Sequence, residues 1–524
     1  MKGKHQVKSS TASRGSRKPI APINEENKKS FLTVDKKFIS FGFLIVFFAV
    51  IIVYFNGPDV LKFFKSSCNE STERVQVNES TGAKVAGKPS KLGGWRLADD
   101  KTLQEFGSEI CSIDVHNADE LSVKEFETTY RFKKPLIVKF KNGAKDWTDP
   151  EKWTVKSLKR EYGEWSVLSG NSLEIVRLGG RGEMATSFSQ YVDKFMKEQD
   201  TLGEPFYVFD REFYNDSSLP KTLKPPEYFK IQDGVDDSIF FLGGSQSGIS
   251  FHKHADAWNG VIYGKKRWFL YPSQRTPPGG VYPGFTQIDW FKKVYPNLTD
   301  SERPLECIQE EGDILYLPEG TYHGTINLGD TVAIGIQKKR AVTDMEKLFY
   351  QVHDVDVALR NVQESGNSKL LEIKVELFER LLQLLPENAE VQMKAGQMYR
   401  EMGSYVKART HIEKAVKLDK HFVVALLNLA GLHSELGDAN EADRLYVHAM
   451  SLNPYLWDVY AQYGDFLMKS NRPKDAVTIY KKGTEIKPKM LPFWFQLQRA
   501  QKTMGDTDAA AQTQTEIDRL KDSK

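Results

Sequence analysis

A spacing of 34 residues in the C-terminal part of this 524-residue chain constrains its fold more tightly than any other feature. Ala408, Ala442, Ala476 and Ala510 fall at that interval, as do Ala415, Ala449 and Gly483, and Gly396, Ala430 and Gly464, while Gly403, Gly437 and Gly505 are separated by multiples of it. Leu418, Leu452 and Ile486 recur at the apolar end of each unit, and Pro386, Pro454 and Pro488 mark the turn into the next. Small residues recur where two helices must approach closely, and an irregular helical bundle has no reason to keep several such registers in phase. The spacing predicts four helix pairs, at 387–420, 421–454, 455–488 and 489–522, with a polar, Ala/Gln-rich last unit suited to facing solvent.

The repeat resembles the tetratricopeptide repeat. That resemblance implies an all-α solenoid whose concave surface binds a protein or peptide partner, joined through a helical linker over 346–386 to whatever precedes it.

At the other end, Phe38 to Phe55 carries no charge over eighteen residues, a length that nearly matches a bilayer core at about 1.5 Å per helical residue. This stretch predicts a transmembrane signal-anchor helix. The tail before it, residues 1–37, has ten Lys and Arg against Glu25, Glu26 and Asp35, which keeps it cytoplasmic and directs the rest of the chain to the lumen, a single-pass type II arrangement. The tail is polar and aperiodic and predicts disorder, and the Ser, Glu, Lys and Gly-rich residues 56–105 predict a luminal stalk. Four glycosylation sequons, at Asn69, Asn78, Asn215 and Asn297, all follow the apolar run, as a luminal glycoprotein requires. In an oxidising lumen Cys111 and Cys307 can pair, and Cys68, in the stalk, can link two chains. A formal net charge of +3 gives no footprint for nucleic acid, and no GxGxxG or P-loop is present.

Between these ends, over 106–345, short β-type runs alternate with Gly, Pro and Asp turns: 136–140, 239–242, 268–271, 314–317 and 331–336. Helical stretches at 122–130, 154–162 and 187–196 interrupt them. The pattern predicts a β-barrel or sandwich with helical additions and a mouth for a ligand.

Candidate chemistry concentrates at 247–272 and 311–337. Ferrous oxygenases hold the metal with two imidazoles and a carboxylate and leave positions open for oxygen and a co-substrate. On an extended strand residues i and i+2 share a face, so His252, His254 and Asp256 are candidate neighbours, and His323 follows a separate β run. His252 and Asp256 cannot both bind one ion from an extended strand, because four residues span about 13 Å.

The runs FHKH, VIYGKKRWFLYP, RPLEC and GDILYLP followed by YHGTINL resemble the JmjC family of 2-oxoglutarate-dependent oxygenases, over roughly residues 106–340. The resemblance implies a cupin double-stranded β-helix holding Fe(II) and 2-oxoglutarate. It casts His252 and His323 as metal ligands, Lys266 on the far carboxylate of 2-oxoglutarate, and Asn259 near that co-substrate. It also implies the endoplasmic reticulum, and a luminal body excludes histones as substrates. The chain departs from the family pattern two residues after His252, where His254 replaces an acidic residue. Three readings stay open: a three-imidazole site, a register slip that makes His254 and Asp256 the pair, or a site without catalytic iron. Two functions follow, a protein hydroxylase served by its repeats and a non-catalytic luminal scaffold or folding factor.

Overall fold

The computed structural model describes residues 93–522 apart from 178–179, 181, 200–202, 233, 282–283 and 362–366. The apolar run 38–55, the tail before it, Cys68, Asn69 and Asn78 lie outside the described residues. Among those described, no helix is long and apolar enough to cross a membrane.

Among the described residues eleven strands build one sheet: β1 (Asp114–Asn117), β2 (Leu136–Lys139), β3 (Ser166–Gly170), β4 (Met184–Ser187), β5 (Tyr207–Asp210), β6 (Asp236–Gly243), β7 (Gly248–His252), β8 (Ala257–Tyr271), β9 (Leu305–Gln309), β10 (Ile314–Leu317) and β11 (Tyr322–Lys338). Their order is β1-β2-β10-β8-β11-β6-β5-β3-β4, with β7 added to β11 and β9 to β8. The two long strands pair with each other antiparallel along most of their length. Each divides its other edge between two partners, β8 between β10 and β9, and β11 between β7 and β6. The sheet therefore curls on itself, giving the predicted cupin-like barrel. Both long strands are almost wholly buried, which explains why their sequences read as short apolar runs rather than as single alternating strands. The bend along them sits at Gly264, whose φ of +85° favours glycine and where a Cβ would lie 2.2 Å from the Asp330 carbonyl oxygen.

The stalk expected over 56–105 ends earlier than its polar composition suggests. Trp95 is buried, donating Nε1–H to the Trp153 carbonyl at 3.0 Å, and Arg96 forms an ion pair with Asp330 at 2.8 Å. The helix Asp100–Phe106 then packs Phe106 into the core. One tryptophan and one phenylalanine attach this polar stretch to the barrel, a signal that average composition dilutes.

The solenoid follows the predicted registers. After helices Asp344–Asn361 and Asn367–Leu384 come four pairs: Ala389–Glu401 with Tyr405–Leu418, Val423–Glu435 with Ala439–Leu452, Trp457–Lys469 with Pro473–Ile486, and Leu491–Thr503 with Thr507–Asp522. The small residues sit where helices cross: a Cβ at Gly396 would meet Ile412 at 2.4 Å, and one at Gly464 would meet Tyr480 at 2.3 Å.

Barrel and solenoid share a core, in which Phe251, Phe269 and Trp290 belong to the same apolar cluster as Leu381, Val391 and Tyr460. The repeat spacing reappears in their contact. Asp419 accepts the Gly279 N–H at 2.9 Å, Asn453 donates to the Gly284 carbonyl at 3.0 Å, and Lys487 pairs with Glu174 at 3.0 Å, each from the same position of successive repeats. One edge of the solenoid is thus committed to its own barrel.

Candidate metal and co-substrate site

β7 ends at His252, and its pairing with β11 explains how that residue reaches the barrel interior. His252 lies opposite His323 and Ile249 opposite Thr325, so two residues of β7 stand against one of β11. This bulge places Ile249 and His252 on the same wall of the interior cavity despite their odd separation. The chain then leaves the strand, and His254 approaches from beyond its end. Ring centroids lie 4.2 Å apart for His252 and His323, 4.7 Å for His254 and His323, and 5.5 Å for His252 and His254. One nitrogen from each ring falls within 4.8 Å of the others.

Each Nδ1 faces a backbone carbonyl: His252 the Ser250 oxygen at 2.9 Å, His254 the Ala255 oxygen at 2.7 Å, and His323 the Thr321 oxygen at 2.9 Å. A carbonyl can only accept, so Nδ1 carries the hydrogen and the Nε2 lone pair is left for a metal. Burial holds all three rings neutral, lowering His252 to about 3 and His323 well below the usual histidine range with help from the neighbouring imidazoles, and His254 to about 4 with a smaller contribution from Arg211. Neutral imidazole is the ligating form.

Asp256 does not join the cluster. It is buried, accepts from Arg131 Nη1 at 2.7 Å and bonds the Tyr316 hydroxyl. The extended run assumed through 256 is broken after His252, so the shared face ends there and Asp256 turns to a structural ion pair. The alternation argument applies only while the strand lasts.

Lys266 is 1% exposed, in the interior rather than at the surface. Its Nζ donates to Tyr207 Oη at 2.7 Å and Asn327 Oδ1 at 3.0 Å, and burial lowers it to about 7. Both partners are neutral, and two bonds leave a third donor position. Asn259 lines the same cavity as Lys266 and the three histidines, and its Oδ1 is buried without a partner, as is the Thr325 hydroxyl. A metal with three imidazole nitrogens, and a carboxylate near the Lys266 ammonium and the Thr325 hydroxyl, suit the groups present, while the Asn259 Oδ1 calls for a donor instead. The cavity is about 40 Å³ and walled by Phe209, Phe241, Trp258 and Trp268. That is room for about three waters, so a five-carbon dicarboxylate needs the wall to open.

Thr325 and Asn327 escaped the sequence reading, although they stand two and four residues beyond His323 on one strand and the period-2 rule places them on its face. Tyr207 had no local signal. Tyr322 is fully buried and donates to Glu390 at 2.7 Å at the solenoid junction.

Residues 122–336 match the Cupin-like domain family, and 389–422 and 458–490 match the Tetratricopeptide repeat. JmjC domain-containing protein 8 of Rattus norvegicus is 32% identical over 254 residues, covering 46% of this chain and 88% of that protein. The chain belongs to the cupin-like JmjC family. The JmjC domain is also similar to the bifunctional arginine demethylase and lysyl-hydroxylase psr-1 of Caenorhabditis elegans, at 26% identity over 46% of this chain and 64% of that protein. The 2-oxoglutarate and iron-dependent oxygenase JMJD4 of Gallus gallus is 27% identical, over 45% of this chain and 47% of that protein.

Proposed function

We propose that this chain is a membrane-anchored, lumen-facing oxygenase of the endoplasmic reticulum that uses Fe(II) and 2-oxoglutarate to hydroxylate a protein side chain. The observation that carries this reading is the convergence of three neutral imidazoles, each with Nε2 free, on a cavity that also contains the buried Lys266. His252, His254 and His323 hold the metal, which with 2-oxoglutarate supplies oxygen activation. Lys266 binds the far carboxylate, the Thr325 hydroxyl donates to the co-substrate, Asn259 lines the pocket near it, and the aromatic wall excludes water. The names of the psr-1 and JMJD4 relatives support the reaction class.

Three features support the compartment. The apolar run 38–55 follows a basic tail, Cys111 and Cys307 are joined as a disulfide, and the sequons at Asn215 and Asn297 are at exposed positions. The solenoid surface left free by the barrel receives the protein partner. Cys68, placed in the stalk, joins two such chains.

A second reading, a JmjC scaffold without turnover, is favoured by one observation: the third metal-facing residue is His254 rather than a carboxylate. Anaerobic calorimetry with Fe(II) and then 2-oxoglutarate separates the two. The oxygenase reading requires metal uptake abolished by His323→Ala and 2-oxoglutarate binding abolished by Lys266→Met. A wild-type chain that takes up neither ligand refutes it.

A further inference from the structure

His252, His254 and His323 line the cavity, whereas Lys253 and Tyr322, their neighbours in the chain, turn outward to the C-terminal helices. Lys253 Nζ lies 3.2 Å from Glu346 in the helix Asp344–Asn361 and 3.3 Å from the ring centroid of Phe349 in the same helix. The same ammonium is 5.1 Å from the Tyr322 ring centroid, so the two outward residues meet there. Tyr322 donates to Glu390 at 2.7 Å, and Glu390 pairs in turn with Lys394 at 2.5 Å, both in the first-repeat helix Ala389–Glu401. Tyr322, Glu346 and Glu390 are all buried.

The turn before Tyr322 is fastened residue by residue. Glu319 accepts the Val342 and Thr343 N–H groups at 2.8 and 3.1 Å, just before the helix Asp344–Asn361 begins. Gly320 donates its N–H to the His254 carbonyl at 2.9 Å, and the Thr321 carbonyl orients the His323 ring at 2.9 Å. The two segments that carry the three histidines are therefore joined by one backbone bond and backed by two carboxylates from outside the barrel. Removing one member of such a buried pair leaves the other uncompensated, so the contacts resist separation. Groups around the ligands of a metal also set its affinity, by fixing where the ligands stand.

We propose that Glu346 and Glu390 are positioning residues for the metal site, acting through Lys253 and Tyr322, so that metal binding and the docking of their two helices on the barrel favour each other. The proposal rests on the metal reading above and adds control of that site by the helical region. The coupling is reciprocal, since a helix that raises the affinity for metal is itself held more firmly when metal is bound.

Cobalt(II) is titrated calorimetrically into the full chain, and amide hydrogen exchange is followed with and without saturating cobalt. In the wild type, cobalt is expected to slow exchange in Ala389–Glu401 at least about fivefold more than in the last-repeat helix Leu491–Thr503. Tyr322→Phe, which leaves Glu390 its pair with Lys394, is expected to remove that difference and to weaken cobalt binding about tenfold, as is Glu346→Gln to weaken it. Asn453→Ala breaks a solenoid contact with the Gly284 carbonyl, away from both histidine segments, and is expected to keep cobalt affinity within about twofold of wild type. Unchanged cobalt affinity in folded Tyr322→Phe and Glu346→Gln overturns the proposal, as does an equal loss in Asn453→Ala, which assigns the effect to seam stability. Equal slowing of the two helices in the wild type overturns it without any variant, so a chain that fails to fold leaves the test intact. No cobalt uptake by the wild type overturns it together with the metal reading, whereas uptake without the exchange difference overturns it alone.

Discussion

Replacing Asp256 by Asn separates a structural carboxylate from a metal ligand. Asp256 is 3% exposed and pairs with Arg131, which also bonds Glu127 at 2.9 Å and the Tyr228 carbonyl at 2.9 Å. An asparagine keeps one acceptor oxygen, for Arg131, and turns an amide N–H toward the Tyr316 oxygen, but has no charge. Losing a partner from a buried pair costs about 3–5 kcal/mol. Here the guanidinium keeps Glu127 and is reached by water, and burial already disfavours the Asp256 carboxylate, raising its pKa, so the expected loss is about 2 kcal/mol. Urea unfolding followed by circular dichroism measures it. Cobalt(II) affinity of the same variant should stay within about twofold of wild type, whereas His254→Ala should weaken it at least ~100-fold, more than loss of a supporting residue around a metal does. An Asp256→Asn chain of unchanged stability that no longer binds metal would refute the reasoning and restore the pairing of His254 with Asp256.

The disulfide between Cys111 and Cys307 closes a separation of 196 residues, so Cys111→Ser with Cys307→Ser should destabilise the barrel by about 2–5 kcal/mol and make its unfolding indifferent to reductant. Asp458 has a carboxylate oxygen buried without a partner and is pushed up to about 7 by burial. Its folded pKa exceeds the unfolded value near 4, so the native state holds the extra proton between those values and stability declines as pH rises from about 4 to 7. Asp458→Asn should therefore raise the unfolding free energy at pH 8 by about 1–2 kcal/mol after allowance for its partial exposure, seen as a higher melting temperature, and leave it unchanged at pH 4. Gly264→Ala combines a positive φ with a Cβ 2.2 Å from a carbonyl oxygen, and should cost more than about 2 kcal/mol or prevent soluble expression, measured by thermal unfolding.

The sequence by itself determined what repeats locally. The 34-residue interval defined four helix pairs and their contact points, because a small residue is needed at each helix crossing whatever surrounds it. Strand cores such as 136–139 and 314–317 were legible for the same reason, and the histidines stood out by type and motif. Tertiary structure alone decided the rest. It decided that β7 bulges to aim His252, that the strand ends before His254, and that Asp256 pairs with Arg131, 125 residues away. It also decided that Lys266 meets Tyr207, and that Asp419, Asn453 and Lys487 fasten the solenoid to the barrel. Local periodicity encodes which face a residue takes while an element lasts. Where an element bends or stops, and which distant group meets a buried charge there, is set by the closure of the sheet and the docking of one layer on another.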